Sequence, residues 1–565
     1  MSLSTWFRIA TLTFTILAVP QLIPVRASAE ESRTAGPASA SAASSDSLEL
    51  GRRMYREGLL PSGDMMTATI RGDISVSGDQ VICGNCHRRS AMGSSEGQEV
   101  VPAIRGNILR NPLRLPTSKP PLPPEQRPAY TNEMLRRAIR DGIDANGKPL
   151  DAFMPRYPLN DAQLDPLLGY LDSLMAEPAP GVTEQDIHFA TIVTDAVAAA
   201  ERTAMLDVMQ VYLQQKNTET RHESSRAANA PWHKAWILEP YRKWVLHVWE
   251  LNGARETWPA QLQAYYTQQP VFAVLGGIAP GSWQPMHTFC EHMEIPCLFP
   301  NTTLPVHNDQ DFYTVYLDGG MALQGHAVAQ HLSDDGLLSR PVLQVYRDGD
   351  AEGEAAAVAL RRALPARSAQ INDVPLGPEG SFETLLATLQ AERDAVVVLW
   401  LRQSDLATFW ARLDTGNFPA RFYVSTTLYD SEYSELPDAL REWVFFVHPQ
   451  ELPDKLPRLL ARSTGWLRIK RIHAPAAAQI QANSYFAMKL AGGALRSIQG
   501  YFNRDYFLER IEHMVDSANY TSVYPRVTLA PKQRFVSKGC YIAQLPKQGQ
   551  GGLVAVTDWL IPGSK

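Results

Sequence analysis

The apolar positions of this chain change their spacing three times. Ile9 to Val25 is apolar apart from threonines, prolines and Gln21, behind a Met1 to Arg8 start that carries one cation. Further on, Leu164, Leu167, Leu168, Leu171 and Leu174 share one helical face, with Tyr170 beside it. Asn160-Asp161-Ala162-Gln163 supplies the start of that helix, a side-chain cap followed by a glutamine three residues on. Asp73 to Val81 reads as a hairpin, and the proline-rich stretch Asn111 to Ala129 as an extended loop. After Ala176-Glu177-Pro178-Ala179-Pro180 the texture becomes strand-helix alternation. Strands are predicted at Asp186 to Val193, Trp244 to Trp249, Val271 to Leu275, Val342 to Tyr346, Ala395 to Trp400, Phe422 to Val424 and Val444 to Val447. Helices are predicted at Ala196 to Leu213, Ala260 to Gln268, Glu354 to Leu364, Ser381 to Ala391, Pro475 to Gly493 and Tyr506 to Met514. Such alternation predicts parallel sheets covered on both faces.

Length and charge narrow the picture. A chain of 565 residues exceeds what one core organises, so more than one domain is expected. A net charge of -6 and a pI near 6.1 give no basic stripe for nucleic acid. Ala27-Ser28-Ala29 behind the apolar run has the small-x-small pattern of a signal peptide, with cleavage near Ala29. An uncleaved anchor is the alternative; two prolines and a short apolar core suit a single span poorly. No later segment has an unbroken apolar run of spanning length, so no membrane span is expected in the mature chain and its location is periplasmic. The expected organisation is a signal peptide at 1–29, a leader at 30–44, a first domain at 45–176, a linker at 177–183 and a second domain at 184–565.

Cys83-Gly84-Asn85-Cys86-His87 carries the sharpest chemistry. One helical turn can present both thiols to the two vinyl groups of a haem and the next imidazole to its iron. Two ordinary cysteines beside a histidine are the plainer reading; export favours the haem. Around this run the chain resembles a class I c-type cytochrome. Gly51 to Gly58 is similar to that family's first helix, with a glycine and an aromatic placed to cross the last one. Pro102-Ala103-Ile104-Arg105-Gly106 is similar to its P-x-L-x-G turn, and Phe153-Met154-Pro155-Arg156-Tyr157 to its methionine ligand loop. The resemblance implies one covalent haem c on Cys83 and Cys86, His87 and Met154 as axial iron ligands, and Pro102 fixing the imidazole tautomer. Met92 lies too close behind His87 to reach the opposite face; Met65 and Met66 are distant alternatives, and a core methionine is the plainer reading of Met154. Leu59 to Ile82 is an insertion the family lacks.

In the large domain no G-x-G-x-x-G or G-x-x-x-x-G-K follows a strand, which disfavours nucleotide cofactors. Val271 to Gly277, Ser282-Trp283-Gln284-Pro285 and Ile295 to Pro300 resemble the first lobe of type I periplasmic solute-binding proteins related to branched-chain amino acid receptors. Phe312 to Leu332 and Arg340 to Arg347 resemble the crossover helix and the first strand of the second lobe. The resemblance implies an all-α cytochrome c domain followed by a two-lobed α/β domain, with a solute between strand ends and helix starts. Ser282 is the leading ligand candidate, Thr194 and Asp195 weaker ones; Ser282 capping its own helix is an equal alternative. His287, Cys290, His292, Met293, Cys297 and His307 form a soft-ligand run whose spacing matches no closed metal site. Cys290 and Cys297 could equally close a disulfide or stay buried thiols, and Cys540 reads as a buried unpaired cysteine.

The expected function is an extracytoplasmic monohaem cytochrome carrying single electrons, an electron-transfer protein rather than a catalyst. Its second domain docks a redox partner, such as a periplasmic dehydrogenase, or senses a small anionic or amino-acid-like solute. The alternatives are a transport-type solute receptor with an accessory haem, and a haem peroxidase or oxidase if the sixth iron position is open.

Overall fold

The computed structural model describes residues 45–71, 73–96, 99–115, 125–174, 178–220, 242–364, 370–377, 382–392, 394–413, 421–429, 436–498, 501–517, 519–547 and 551–563. The expected signal peptide at 1–29 and leader at 30–44 lie outside them. Asp46 to Lys565 form one compact unit. Among the described residues no helix is long and apolar enough to cross a membrane.

The N-terminal part is built on two crossing helices. Ser45–Glu57 meets Asp161–Ser173 at Gly51, where an added Cβ would stand 2.1 Å from the Pro166 carbonyl oxygen and 2.7 Å from Tyr170 Cβ. Only a residue without a Cβ lets the two backbones come this close. Tyr55 and Tyr170 flank the crossing with ring centroids 5.5 Å apart. Asp161–Ser173 begins on a reciprocal capping box: the Asn160 side chain accepts the Gln163 N–H and the Gln163 side chain accepts the Asn160 N–H. Leu164, Leu167, Leu168 and Leu171 are buried, as the apolar stripe predicts, and Leu174 is partly buried.

Two local expectations change. Asp73 to Val81 is not a self-contained hairpin: Ile74–Ser77 pairs antiparallel with the preceding Thr67–Ile70, and Gly78–Val81 is a 3-10 turn. Gly78, at φ 63, ends the extended run and turns the chain toward Cys83. The proline-rich stretch holds a short antiparallel pair, Leu113–Leu115 with Glu125–Arg127, and residues 116–124 between them are outside those described.

The larger part contains two α/β lobes. In the first sheet the spatial order is Thr314–Val315, Cys297–Leu298, Ala273–Leu275, Asp186–Thr194, Lys243–Leu251, all parallel. In the second it is Ile371–Leu376, Val342–Arg347, Val396–Trp400, Arg421–Ser425, Val444–His448, all parallel, closed by antiparallel Tyr541–Gln544 and Val554–Ala555. Counted along the chain, the parallel strands of both sheets run 2-1-3-4-5, the doubly wound order in which strand direction of travel reverses beside strand 1. Every residue of Val396–Trp400 is buried, as cover on both faces requires.

The lobes are not consecutive in sequence. Helices Ala478–Ser497 and Arg504–Met514 return to the first sheet, where Phe486 meets Phe299 and Phe507 meets Phe272, each at 5.2 Å between ring centroids. Helix Gly320–Asp334 belongs to the second lobe, where Gly325 lets it close on Ala351–Ala363: a Cβ there would lie 2.5 Å from the Ala356 carbonyl oxygen.

Candidate functional site

The Cys-x-x-Cys-His run forms its own five-residue helix, Cys83–His87. A Cβ added to Gly84 would lie 3.5 Å from the Tyr55 carbonyl oxygen, so this turn sits against the first helix. The chain then reverses through Arg88 and Ala91, both at positive φ, and through Gly93, whose added Cβ would lie 2.1 Å from the Val101 carbonyl oxygen. The Gly93 N–H donates to the His87 carbonyl at 3.0 Å and the Ile104 N–H to Ala91 at 2.9 Å. This loop brings Pro102 onto the imidazole.

His87 is 8% exposed, and its Nδ1–H donates to the Pro102 carbonyl at 2.9 Å. Nε2 therefore carries the lone pair. Burial lowers the imidazole pKa, opposed by the Pro102 carbonyl, so the ring stays neutral and able to ligate. Cys83 and Cys86 are free thiols on the same turn, and burial pushes Cys83 up to about 11. Two unpaired thiols, an oriented imidazole and an open Nε2 fit a covalently attached haem.

Met154 lies on a separate loop. Thr69 and Arg156 exchange both backbone hydrogen bonds at 2.9 Å, and the Arg156 guanidinium donates to the carbonyls of Met154 and, at 3.0 Å, Leu150. Met154 itself is half-buried. Of the other candidates, Met66 is fully buried in the core and Met65 is exposed.

The haem-motif segment is bonded to the first lobe. Arg56 pairs with Asp505 at 2.9 Å, and Arg89 lies 3.4 Å from the same carboxylate and 4.3 Å above the Phe312 ring. The Tyr313 hydroxyl donates to Asp505 at 2.7 Å. The Ser90 N–H and hydroxyl donate to Glu509 at 2.8 and 2.5 Å.

A second candidate site lies along the C-terminal strand edges, where a doubly wound sheet opens a crevice. Thr194 and Asp195 end the first strand. Thr194 is buried with its hydroxyl unbonded, while the Asp195 carboxylate accepts the Gly253 N–H at 2.8 Å. Gly276 and Gly277, both at positive φ, turn the chain after Ala273–Leu275; a Cβ on Gly277 would meet the Trp283 ring at 2.7 Å. Ser282 follows, half-buried, its Oγ accepting the Gln284 N–H at 3.2 Å. The three predicted residues thus share one sheet edge, and Ser282 also supports its own helix, Gln284–His292.

Sequence reasoning missed the partners across the crevice. Asn301 donates to the Gly277 carbonyl at 3.2 Å and accepts from Asn483 at 3.0 Å. The Thr303 hydroxyl donates to Glu352 of the second lobe, and Arg402 pairs with Glu352 and, at 3.1 Å, Asp350. Asp350, Glu352 and Arg402 stand just past the strands Val342–Arg347 and Val396–Trp400, so the strand-end rule applied to the second sheet would have found them. Hydroxyl and amide donors on one lobe thus face carboxylates and a guanidinium on the other.

Within the soft-ligand run, Cys290 and Cys297 are buried free thiols that face each other, and Cys540 is buried and unpaired. His287 and His307 both approach Asp311.

A family model described as periplasmic binding protein matches residues 255–550. No curated protein matches the chain. Among solved structures, it is similar to a fatty acid ABC transporter substrate-binding protein from Thermomonospora curvata, at 15% identity and TM-score 0.46, over 68% of this chain and 95% of that one. It is also similar to a branched chain amino acid ABC transporter from Thermus thermophilus with bound valine, at 14% identity and TM-score 0.46, over 67% and 98%. A third is an ABC transporter substrate-binding protein from Desulfitobacterium hafniense in complex with Leu, at 13% identity and TM-score 0.45, over 66% and 100%.

Proposed function

The chain belongs to the periplasmic binding protein family, and from that premise we propose that it is an extracytoplasmic solute receptor whose N-terminal segment carries a covalently bound haem c. The observation that carries the receptor reading is the meeting of two doubly wound sheets at their C-terminal strand edges, bridged from Thr303 to Glu352. A solute carboxylate would bind the donors around Gly277 and Ser282, and an ammonium the Asp350 and Glu352 carboxylates, so the solute is amino-acid-like. Thr194 and Asp195 are lesser contacts, the first for its buried hydroxyl and the second for its bond to Gly253.

The haem reading is supported by the oriented imidazole of His87 beside two free thiols. Bound there, the group supplies one-electron transfer. Cys83 and Cys86 would tether it, His87 Nε2 and Met154 would hold its iron, and the Pro102 carbonyl accepts the Nδ1 proton. The electron-carrier reading, in which the large domain docks a redox partner such as a periplasmic dehydrogenase, is favoured by one observation: Arg402 already neutralises Asp350 and Glu352.

Calorimetry of the full mature chain against amino acids and small carboxylates tests the receptor. Tight one-to-one binding is expected, and silence across the panel leaves the docking reading. The haem is tested separately, by a pyridine haemochrome spectrum after expression in a host that attaches haem c; a colourless product removes it. Replacing Met154 by Ala should lower the midpoint potential, because a thioether ligand raises it. An unchanged spectrum and potential would reject Met154 as ligand and reopen the sixth position.

A further inference from the structure

At the seam between the haem-motif segment and the first lobe, four side chains converge that neither the haem nor the solute crevice uses. His287 and Glu291 stand one turn apart on Gln284–His292 and share a helix face. Asp311 faces them from the loop before Thr314–Val315, and the ligand atoms of these three lie within 4.8 Å of one another. His287 Nε2 is 3.1 Å from Asp311 Oδ2, and His307 Nδ1 is 3.7 Å from the same oxygen.

We propose that His287, Asp311 and Glu291 bind a divalent ion of the zinc class, with His307 at the rim. One imidazole and two carboxylates are a donor set that zinc accepts, with a fourth tetrahedral position left for water. Bond lengths of about 2.0–2.2 Å put neighbouring donors roughly 3.4 Å apart around such an ion, close to the 3.1 Å between His287 Nε2 and Asp311 Oδ2.

The surroundings are built as a metal site's are. The His287 and Asp311 side chains are only 4% and 7% exposed. The Tyr316 hydroxyl lies 3.0 Å from His287 Nδ1 with the two rings stacked, which fixes the imidazole and leaves Nε2 for the ion. The Asn308 N–H holds Asp311 at 2.6 Å. Glu291 accepts the N–H groups of Phe312, Tyr313 and Thr314, which pins the loop that presents Asp311 and leaves one of its roughly four lone-pair positions for the ion. Among the described residues, the ion pairs of Asp311 are with His287 and His307. An open cavity of about 460 Å³, lined also by Gln284, His292, Gln310 and Arg89, gives the ion a way in.

A metal at Nε2 leaves the single proton of the neutral imidazole on Nδ1, facing the Tyr316 hydroxyl at 3.0 Å, so the ring moves its proton and releases none.

The test is zinc titration of the full, haem-loaded, tag-free chain after chelator dialysis, read by calorimetry and elemental analysis. One zinc per chain is expected. His287→Ala and Asp311→Asn should abolish it, the rim variant His307→Ala should weaken it, and Tyr316→Phe should weaken it about tenfold. Asp311→Asn keeps the side-chain shape, so its result stands if His287→Ala misfolds. No bound zinc, zinc retained by Asp311→Asn, or saturation by Ca2+ in place of Zn2+ would each overturn the site.

Discussion

At Glu509, burial in the seam pushes the carboxyl pKa up from 4.5 to about 8, while the two hydrogen bonds from Ser90 pull it down. An acid whose folded pKa exceeds its unfolded value binds more protons folded than unfolded between the two. Its contribution to stability is therefore full below pH 4.5, declines as pH rises, and is lost above pH 8, with a slope of up to about 1.4 kcal/mol per pH unit. Glu509→Gln keeps an acceptor for the Ser90 N–H and removes the titration, so urea midpoints of the variant should fall less between pH 6 and pH 9 than those of the parent. Parallel pH profiles would refute this. At His87 burial acts on a base and lowers the pKa, against the Pro102 carbonyl, which favours the protonated ring.

Among elements, the crossing of Ser45–Glu57 over Asp161–Ser173 depends on one missing methyl group. A Cβ at Gly51 would collide with the backbone of Pro166, which cannot swing away as a side-chain tip could. Gly51→Val should cost about 3 kcal/mol and lower the thermal midpoint by circular dichroism; an unshifted midpoint would show that the helices do not meet there. The capping box and leucine stripe of Asp161–Ser173 were legible because they are local, set by neighbours three and four residues apart. Thr314–Val315 was not, since two residues are too few to display a period, and Cys297–Leu298 was expected only from the family resemblance of Ile295 to Pro300. Asp73 to Val81 misled for a related reason: its alternation was real, but its pairing partner lay upstream.

Over the whole molecule, the haem-motif segment and the first lobe are joined by charge. Asp505 serves Arg56, Arg89 and the Tyr313 hydroxyl, and both it and Arg56 are largely buried. Removing the carboxylate leaves the largely buried Arg56 with only the longer Glu294 pair at 3.7 Å and the Tyr170 hydroxyl. Asp505→Ala should therefore cost about 3–5 kcal/mol and split the calorimetric unfolding of the parent into two resolved transitions; a single transition at the parent's temperature would show that the seam is not held there. This bonded seam gives the haem-motif segment a fixed place beside Phe312 and Tyr313.

What the sequence alone determined was chemistry written in short range: the Cys83-x-x-Cys86-His87 turn, the Pro102 that follows it, the caps, and the strand-helix rhythm that compels parallel sheets. The tertiary structure decided every convergence of distant positions, such as Ser90 with Glu509, Thr303 with Glu352, and His287 with Asp311. The physical reason is that a helical turn fixes the relation of residues three or four apart wherever it occurs. The meeting of residues tens to hundreds of positions apart is fixed by strand order, by late helices returning to the first lobe, and by glycines at which backbones touch. None of these leaves a periodic mark on the chain.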